Sequence, residues 1–251
     1  MTALTPENFA RLCALDLSEK PPDPNGIGTY NEKRLHRIIK KFVCDDESCF
    51  EQRVGKYVAD VLCDGVISEV QTGSFYPLKE KLGYYIGNTD LSVRIYHPIT
   101  AGKRIIRIDP RTGEILRSRM SPSKNCAADI LPELFWISGL LDFGRVSVVL
   151  LAVNIEEYRY SDTVYRYRKS GRYDAQRIPV SLENVTVIDS RDSLRSLLPR
   201  NIMGADWFTV SDFSRESKIR GRKAYSAVNA LCTLGVLERS RDGRTSVFRC
   251  V

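Results

Sequence analysis

The sequence predicts an α/β or α+β fold, with a mixed central sheet flanked by helices and a small C-terminal domain. Helical and strand periodicities alternate along most of the chain. The apolar run "RVSVVLLAV" suits a central strand that is covered on both faces. The segment after residue 205 differs in character, because it reads as two helices and a β-hairpin rich in basic residues. We therefore expect an N-terminal helix and linker over 1–28, a main domain over 29–200 and the small domain over 206–251.

Composition narrows the class of protein. With 251 residues, 43% of them hydrophobic and 27% charged, the chain is typical of a globular protein with a real core. No stretch reaches the roughly 18 to 20 apolar residues that span a membrane, and the N-terminus lacks the regions of a signal peptide. Seven scattered cysteines without a C-x-x-C pair read as reduced thiols. These features predict a cytoplasmic protein without a membrane partner.

The N-terminal third predicts two helices. In "TPENFARLCALDL", Thr5 and Pro6 are typical of a helix start, and the predicted apolar face consists of Phe9, Leu12 and Leu15. The prolines and glycines of "EKPPDPNGIG" interrupt regular structure. "TYNEKRLHRIIKKFV" then resumes helical spacing, with an apolar face formed by Leu35, Ile38, Ile39 and Phe42.

The middle of the chain predicts the sheet. "KYVADVL" and "VISEVQT" flank Cys63-Asp64-Gly65, where Asp-Gly suits a tight antiparallel hairpin turn. "FYPLKEKLGYYI" is helical in pattern, and "LSVRIYHPI", "KRIIRID" and "EILRSRM" read as strands, the last two joined by a "PRTG" turn. "NCAADILPELFWISGLL" has helical spacing. Residues 156–188 alternate tyrosines and arginines, which fits either an exposed hairpin or a ribbon that contacts phosphates and bases.

The last 46 residues resemble a winged helix-turn-helix. Ser211 or Thr209 opens the helix "TVSDFSRESKI", "RGRK" is a basic turn, and "AYSAVNALCTLGVLE" is a second helix before a hairpin with Asp242-Gly243 at its tip. This segment has nine Lys or Arg against five Asp or Glu, within a chain of net charge +7. The candidate nucleic-acid contacts are Arg215, Lys218, Arg220, Arg222 and Lys223. A protein-protein or dimerisation module is the alternative, and a homodimer stays open.

Acidic residues on the predicted hairpin suggest a metal-binding site. Strand alternation puts Asp60 among apolar neighbours, and a two-residue turn at Asp64-Gly65 pairs it with Glu69 on the opposite strand. Like charges directly opposite repel, with Cβ atoms roughly 4.5 to 5.5 Å apart, unless a cation intervenes or one carboxyl is protonated. Two carboxylates with the amide of Gln71 alongside would suit Mg²⁺ or Mn²⁺.

Glu32, near the start of the preceding helix, would be a third acid ligand. Two other interpretations stay open. Glu32 has the spacing to close a capping box with Thr29, and Asp60 and Glu69 could pair with basic side chains from elsewhere.

Residues 29–96 resemble the PD-(D/E)XK nuclease-like superfamily, which has a restriction-endonuclease-like fold. The resemblance rests on Glu32 in "NEKRLHRIIKKF", Asp60 in "VADVL", and Glu69 and Gln71 in "SEVQT", before a helix and the strand "VRIYHPI". It also extends to a group of uncharacterised bacterial proteins of this organisation. It implies a Mg²⁺-dependent or Mn²⁺-dependent phosphodiesterase with Asp60, Glu69 and Glu32 at the metal.

Two positions depart from the pattern of that superfamily. Its proline before the aspartate is Ala59, and its lysine is Gln71, an amide that can orient a water but cannot neutralise charge. Lys79 or Lys81 on the next helix would supply the missing cation. We therefore expect a nuclease acting on DNA rather than RNA, with catalytic residues Asp60, Glu69, Gln71, Glu32, Lys79 and Lys81. The alternatives are a non-catalytic DNA-binding or regulatory protein on the same scaffold, or a protein-binding winged helix with basic loops that bind RNA.

Overall fold

The computed structural model describes residues 4–19, 29–109, 111–122, 124–160 and 175–251, with side chains except at 29–33, 160 and 175. Three predictions concern parts of the chain outside the described residues: most of the linker, positions 161–174 of the tyrosine- and arginine-rich segment, and the side chains of Thr29 and Glu32, the predicted capping box and third acid.

The two N-terminal helices form as predicted. Helix α1 spans Pro6–Glu19 and helix α2 spans Thr29–Val43. The rings of Phe9 and Phe42 meet edge to face with centroids 5.1 Å apart. Leu15 was predicted on the apolar face but is 46% exposed, because a spacing of three residues drifts around a helix of 3.6 residues per turn.

Three strands and a helix follow. Strand β1 spans Phe50–Val54, β2 Tyr57–Cys63, β3 Val66–Val70, and helix α3 Leu78–Asn88. The predicted hairpin and helix are confirmed, whereas β1 was not foreseen. Asp64 and Gly65 both have positive φ, 51° and 75°, as a tight hairpin turn of this kind requires.

The next two strands differ from the expectation in their extent. Strand β4 spans Ser92–Ile108 without interruption, and β5 spans Ile115–Met120. The sequence predicted two strands where β4 is one. Pro98 lies after the last residue paired with β3, Tyr96, and before the first paired with β5, Arg104, so its missing N–H breaks neither of these two ladders.

The prediction of one continuous helix over 125–141 is wrong. The structure has a 3-10 turn at Ala127–Ile130, the short helix α4 at Leu131–Leu134 and a second 3-10 turn at Ser138–Leu140. Pro132 cannot donate the backbone hydrogen bond that would continue a helix through it. Ile130, Leu131, Leu134 and Ile137 are nevertheless buried, at a spacing that is typical of a helix, whereas Phe135 and Trp136 are exposed.

The remaining elements complete the sheet and the C-terminal segment. They are β6 (Val146–Tyr160), β7 (Ala175–Ile188), α5 (Arg191–Arg195), α6 (Arg200–Met203), α7 (Val210–Ser217), α8 (Arg222–Thr233), β8 (Leu237–Asp242) and β9 (Thr245–Cys250).

The main sheet has seven strands in the order β1-β2-β3-β4-β6-β7, and β5 pairs with β4. It is mixed, since β3 runs antiparallel to β2 and parallel to β4. Strand β6 lies between two neighbours, and its residues 148 to 151 are all buried, as expected of a strand covered on both faces. The predicted fold class, a mixed central sheet flanked by helices, is confirmed.

The chain divides into two compact units. Unit 1 comprises 1–51, 98–126 and 151–185, and unit 2 comprises 52–97, 127–150 and 186–251. In unit 1, the side chains of Phe9, Ile39 and Phe42 are fully buried. In unit 2, one hydrophobic cluster joins the hairpin, α3 and α4 to α7, α8 and β9. Among the described helices, none combines the length and apolarity needed to cross a membrane.

Candidate active site on the β2–β3 hairpin

The β2–β3 hairpin brings the two predicted acids together. Its ladder pairs Val61 with Ser68 and Cys63 with Val66, so the register predicted from the Asp64-Gly65 turn is correct, and its next step sets Asp60 opposite Glu69. The backbone N–H of Val70 donates to Asp60 Oδ2 at 2.8 Å. This bond holds the Asp60 carboxylate against the end of β3, beside Glu69.

Glu69 is the most buried acid of the hairpin, with 4% of its surface exposed. Lys81 Nζ donates to its Oε2 at 2.6 Å, and the Tyr85 hydroxyl donates to its Oε1 at 3.1 Å. Burial raises the pKa of Glu69 to about 7; the ammonium of Lys81 opposes this shift and the charge of Asp60 adds to it. Glu69 can therefore gain or lose a proton near neutral pH.

Helix α3 places a lysine against Glu69. Lys81 reaches Glu69, whereas Lys79 is exposed two positions earlier. Two residues correspond to about 200° around a helix, so only one of the two predicted lysines can face the hairpin. Of the two lysines predicted from the sequence, Lys81 is the one that contacts Glu69.

Tyr85 belongs to the same cluster and was missed from the sequence. It is fully buried, and its pKa is raised by burial, by the charge of Glu69 and by its hydrogen bond to Glu69. A signal was available, because Tyr85 follows Lys81 by four residues, and such pairs lie on one helix face. Lys81 Nζ lies 6.0 Å from the centroid of the tyrosine ring.

Gln71 lies just beyond the end of β3. Its backbone N–H donates to the Tyr96 carbonyl at 2.9 Å, and its side-chain Nε2 donates to the Ser74 carbonyl at 2.6 Å. The second bond ties the amide to the loop that leads into α3. The Gln71 side chain is therefore held in one orientation at the end of the strand that carries Glu69.

His97 is a second neighbour that the sequence did not reveal. Its Nδ1 donates to the Gln71 carbonyl at 2.6 Å, which leaves the lone pair on Nε2. The parallel register of β3 and β4 pairs Glu69 with Ile95, so its continuation places His97 beside Gln71 on the face of the acids. Burial lowers the pKa of His97 and so favours the neutral ring. The pairing of β3 with β4 is a long-range feature, and no local signal indicates it.

The donor set fits one hard divalent cation. Asp60 and Glu69 offer carboxylate oxygens, the ligands that Mg²⁺ and Mn²⁺ prefer. Burial is the main cause of the raised pKa of Glu69, and the charge of Asp60 adds to it. A divalent ion there would favour the ionised form of Glu69. The Glu32 side chain, the third predicted ligand, lies outside the described residues.

The predicted nucleic-acid contacts surround the start of α8. Lys218, Arg220, Arg222 and Lys223 are exposed. Arg215 is also exposed, but it forms ion pairs with Asp212 at 2.8 Å and Glu216 at 3.3 Å. Gly221 precedes α8 with a φ of 59° and gives the helix no side-chain cap, so the first backbone N–H groups of α8 receive no capping oxygen from it.

The rest of the C-terminal segment follows the predicted order. Thr209, one of the two proposed starts, caps α7 through a capping box with Asp212. The β8–β9 ladder ends with Asp242 opposite Thr245. Its tip is therefore Gly243-Arg244 and not the predicted Asp242-Gly243, because Asp242 still belongs to the strand.

Comparison with known proteins gives a family without an assigned function. No curated protein matches the chain, and no solved structure matches it either. The family model described as "Domain of unknown function (DUF8091)" matches residues 33–189. The match includes the hairpin, α3 and the strands through β7, and ends before α7 and α8. Because it covers more than half of the sequence, the chain belongs to the DUF8091 family.

Proposed function

We propose that the protein is a metal-dependent nuclease that hydrolyses phosphodiester bonds of nucleic acid, with DNA as the substrate. The observation that supports this most directly is the hairpin cluster, in which a buried Glu69 lies beside Asp60 and within 2.6 Å of Lys81. Two acids and a lysine that converge in this way are the residue types of the superfamily that the sequence resembles, although its lysine comes here from a helix.

The residues divide into binding and positioning roles. Asp60 and Glu69 would hold Mg²⁺ or Mn²⁺, with Glu32 as a further ligand. When bound, such an ion lowers the pKa of a water and stabilises the charge that develops on the phosphate. Gln71 would orient the water, since its amide is fixed by Ser74. Lys81 would neutralise charge at the scissile phosphate, and Lys79, which is exposed, would contact a neighbouring phosphate.

The C-terminal segment would hold the DNA. Two helices followed by a hairpin are the order of a winged helix-turn-helix, and the exposed Arg220, Arg222 and Lys223 lie at the start of the second helix. Lys218 and Arg215 would complete this phosphate-binding surface. A cytoplasmic location fits the proposal, and all seven cysteines are free thiols.

One observation favours a second candidate, a non-catalytic DNA-binding or regulatory protein on the same scaffold. Both oxygens of Glu69 accept hydrogen bonds from Lys81 and Tyr85. An acid held in this way can simply stabilise the packing of α3 on the hairpin, without binding an ion.

Plasmid nicking separates the two candidates. The wild-type protein, Asp60→Asn and Glu69→Gln are incubated with supercoiled and single-stranded DNA in Mg²⁺ or Mn²⁺. Asp64→Asn is the matched control, because it makes the same chemical change at an exposed turn position of the same hairpin that favours Asn.

We expect metal-dependent nicking by wild type and by Asp64→Asn, and a loss of at least about 100-fold in Asp60→Asn and Glu69→Gln, since even weaker perturbations of metal sites cost about 10- to 100-fold. Intact DNA binding without cleavage by wild type under every condition would refute the nuclease and support the second candidate.

A further inference from the structure

The β4–β5 ribbon of unit 1 has an unusually basic face. We use the name ribbon arginines for Arg107, Arg117 and Arg119. The ladder pairs Arg107 directly with Arg117, and Ile105 with Arg119, so all three side chains lie on one face of the two strands. All three are exposed. The result is a group of three arginines on one face of the β4–β5 ribbon.

The pairing of Arg107 with Arg117 is unfavourable by itself. Residues directly opposite in an antiparallel ladder have Cβ atoms roughly 4.5 to 5.5 Å apart, and like charges at that position destabilise the pair. The β8–β9 hairpin shows the usual solution, because Arg249 lies opposite Glu238 and forms an ion pair with it at 2.9 Å. The ribbon has an arginine where the other hairpin has an acid.

None of the ribbon arginines forms an ion pair with another residue that the structure describes. Asp109, at the adjacent turn, accepts the backbone N–H of Arg111 at 2.8 Å. Lys103, earlier on β4, differs from them because its ammonium lies 3.2 Å from the buried Glu157. The three guanidinium groups are thus available to an external anion.

Protection of an exposed edge does not explain the pattern. Charged residues on an edge strand hinder its pairing with other chains, and lysine is the usual choice. Arg107 lies on the inner strand, so its charge adds repulsion without protecting the edge of β5. Moreover, every basic residue between 104 and 120 is an arginine, and arginine is the side chain that binds phosphate through two parallel hydrogen bonds.

We infer that the ribbon arginines bind the phosphate backbone of a nucleic-acid strand. Arg117 and Arg119 are two residues apart on one strand, so their Cα atoms are about 6.7 Å apart along it, which lets each contact a different phosphate. An extended polyanion would compensate all three charges, including the unfavourable Arg107–Arg117 pair. Contacts of this kind are independent of base sequence. The inference rests on the nucleic-acid partner of the proposed function and adds a second surface that contacts it.

The test is the salt dependence of DNA binding in the presence of a chelator, so that cleavage plays no part. A short labelled duplex of random sequence is titrated with wild type, with the double variant Arg117→Ala/Arg119→Ala, and with the double variant Arg53→Ala/Lys56→Ala. The last removes the same charge from two exposed positions and is the matched control.

We expect the slope of log Kd against log salt to fall by about 2 in the ribbon variant, since each lost phosphate contact removes about 1. The control should keep the wild-type slope. An unchanged ribbon variant, or an equal loss in both variants, would overturn the inference. The inference would also be overturned if the ribbon variant kept its DNA binding but lost binding to vesicles of phosphatidylcholine and phosphatidylserine. The surface would then be a membrane contact.

Arg107→Thr tests the inference by a second route. If Arg107 binds an anion at the expense of stability, its replacement should raise the midpoint of thermal unfolding and weaken DNA binding at the same time. A lower midpoint with unchanged DNA binding would mean that Arg107 stabilises the fold, contrary to the inference. These readouts are distinct from nicking. If wild type shows no nuclease activity but the ribbon variant binds DNA more weakly than wild type, the proposed function is refuted and the ribbon assignment still holds.

Discussion

Glu69→Gln should change how the stability of the protein depends on pH. Glu69 is 4% exposed, and its pKa is raised from 4.5 to about 7. A carboxyl group with a raised pKa binds its proton more tightly in the folded state, so the free energy of unfolding falls as pH rises through the interval between the two values. Glutamine keeps the shape of the neutral form and cannot ionise.

The magnitude follows from the interval. The pKa rises from 4.5 to about 7, and each pH unit corresponds to about 1.36 kcal/mol, so Glu69 alone should cost the folded state about 3 kcal/mol between pH 4.5 and pH 8. The ionisable groups that do not interact with Glu69 contribute equally to wild type and variant. The difference between the two proteins therefore reports Glu69 together with the groups coupled to it, Asp60, Lys81 and Tyr85.

Urea unfolding without divalent ions measures this difference at about pH 5 and about pH 8. We expect the stability of Glu69→Gln relative to wild type to improve by about 2.5 kcal/mol between the two conditions. Added Mg²⁺ should reduce the effect by stabilising the ionised carboxylate of wild type. If the free energy of unfolding changed with pH equally in wild type and variant, the raised pKa of a buried Glu69 would be refuted.

Further predictions concern the neighbours of this site and two local features of the backbone. Lys81→Met should destabilise the protein by about 1 to 3 kcal/mol at pH 8 and less at pH 5, where its acid partner is neutral; the same urea titrations would show an equal loss at both pH values if the ion pair were unimportant. Thr209→Ala should cost about 1 kcal/mol in urea unfolding by removing the cap of α7, and no loss would contradict the capping box. Gly55→Ala should lower the melting temperature, because Gly55 has a φ of 60° and a Cβ there would clash with the Tyr84 hydroxyl. Gly87→Ala, inside α3 with open space around it, should instead stabilise by up to about 1 kcal/mol, and a loss at Gly87 or none at Gly55 would contradict this pair of expectations.

Local sequence determined the hairpin and its register. The Asp64-Gly65 turn admits the positive φ angles that it needs, and once the turn is placed, the pairing of Asp60 with Glu69 follows by counting residues. Helix α3 was equally predictable from its spacing, and with it the lysine that reaches Glu69. The choice of Lys81 over Lys79 needed the orientation of the helix, which packing against the hairpin decides.

The long-range pairing of strands could not be predicted from the sequence. The position of His97 beside Gln71 depends on the parallel register of β3 and β4, which no turn residue specifies. Strand β1 carries charged residues and only a short apolar alternation, and so gave no strand signal. The segment around α4 led to the opposite error, a helix that is too long, because its buried residues Ile130, Leu131, Leu134 and Ile137 recur at helical spacing.

The shared hydrophobic cluster of unit 2 has a consequence for biosynthesis. Ile67 of the acid-bearing hairpin and Leu82 of α3 belong to the same cluster as Phe213, Leu231 and Phe248. These last three are translated some 130 or more residues after the hairpin. A nascent chain therefore cannot complete the packing beneath its acids until the late residues have emerged from the ribosome, so that any activity of this site would arise only after most of the chain has been made.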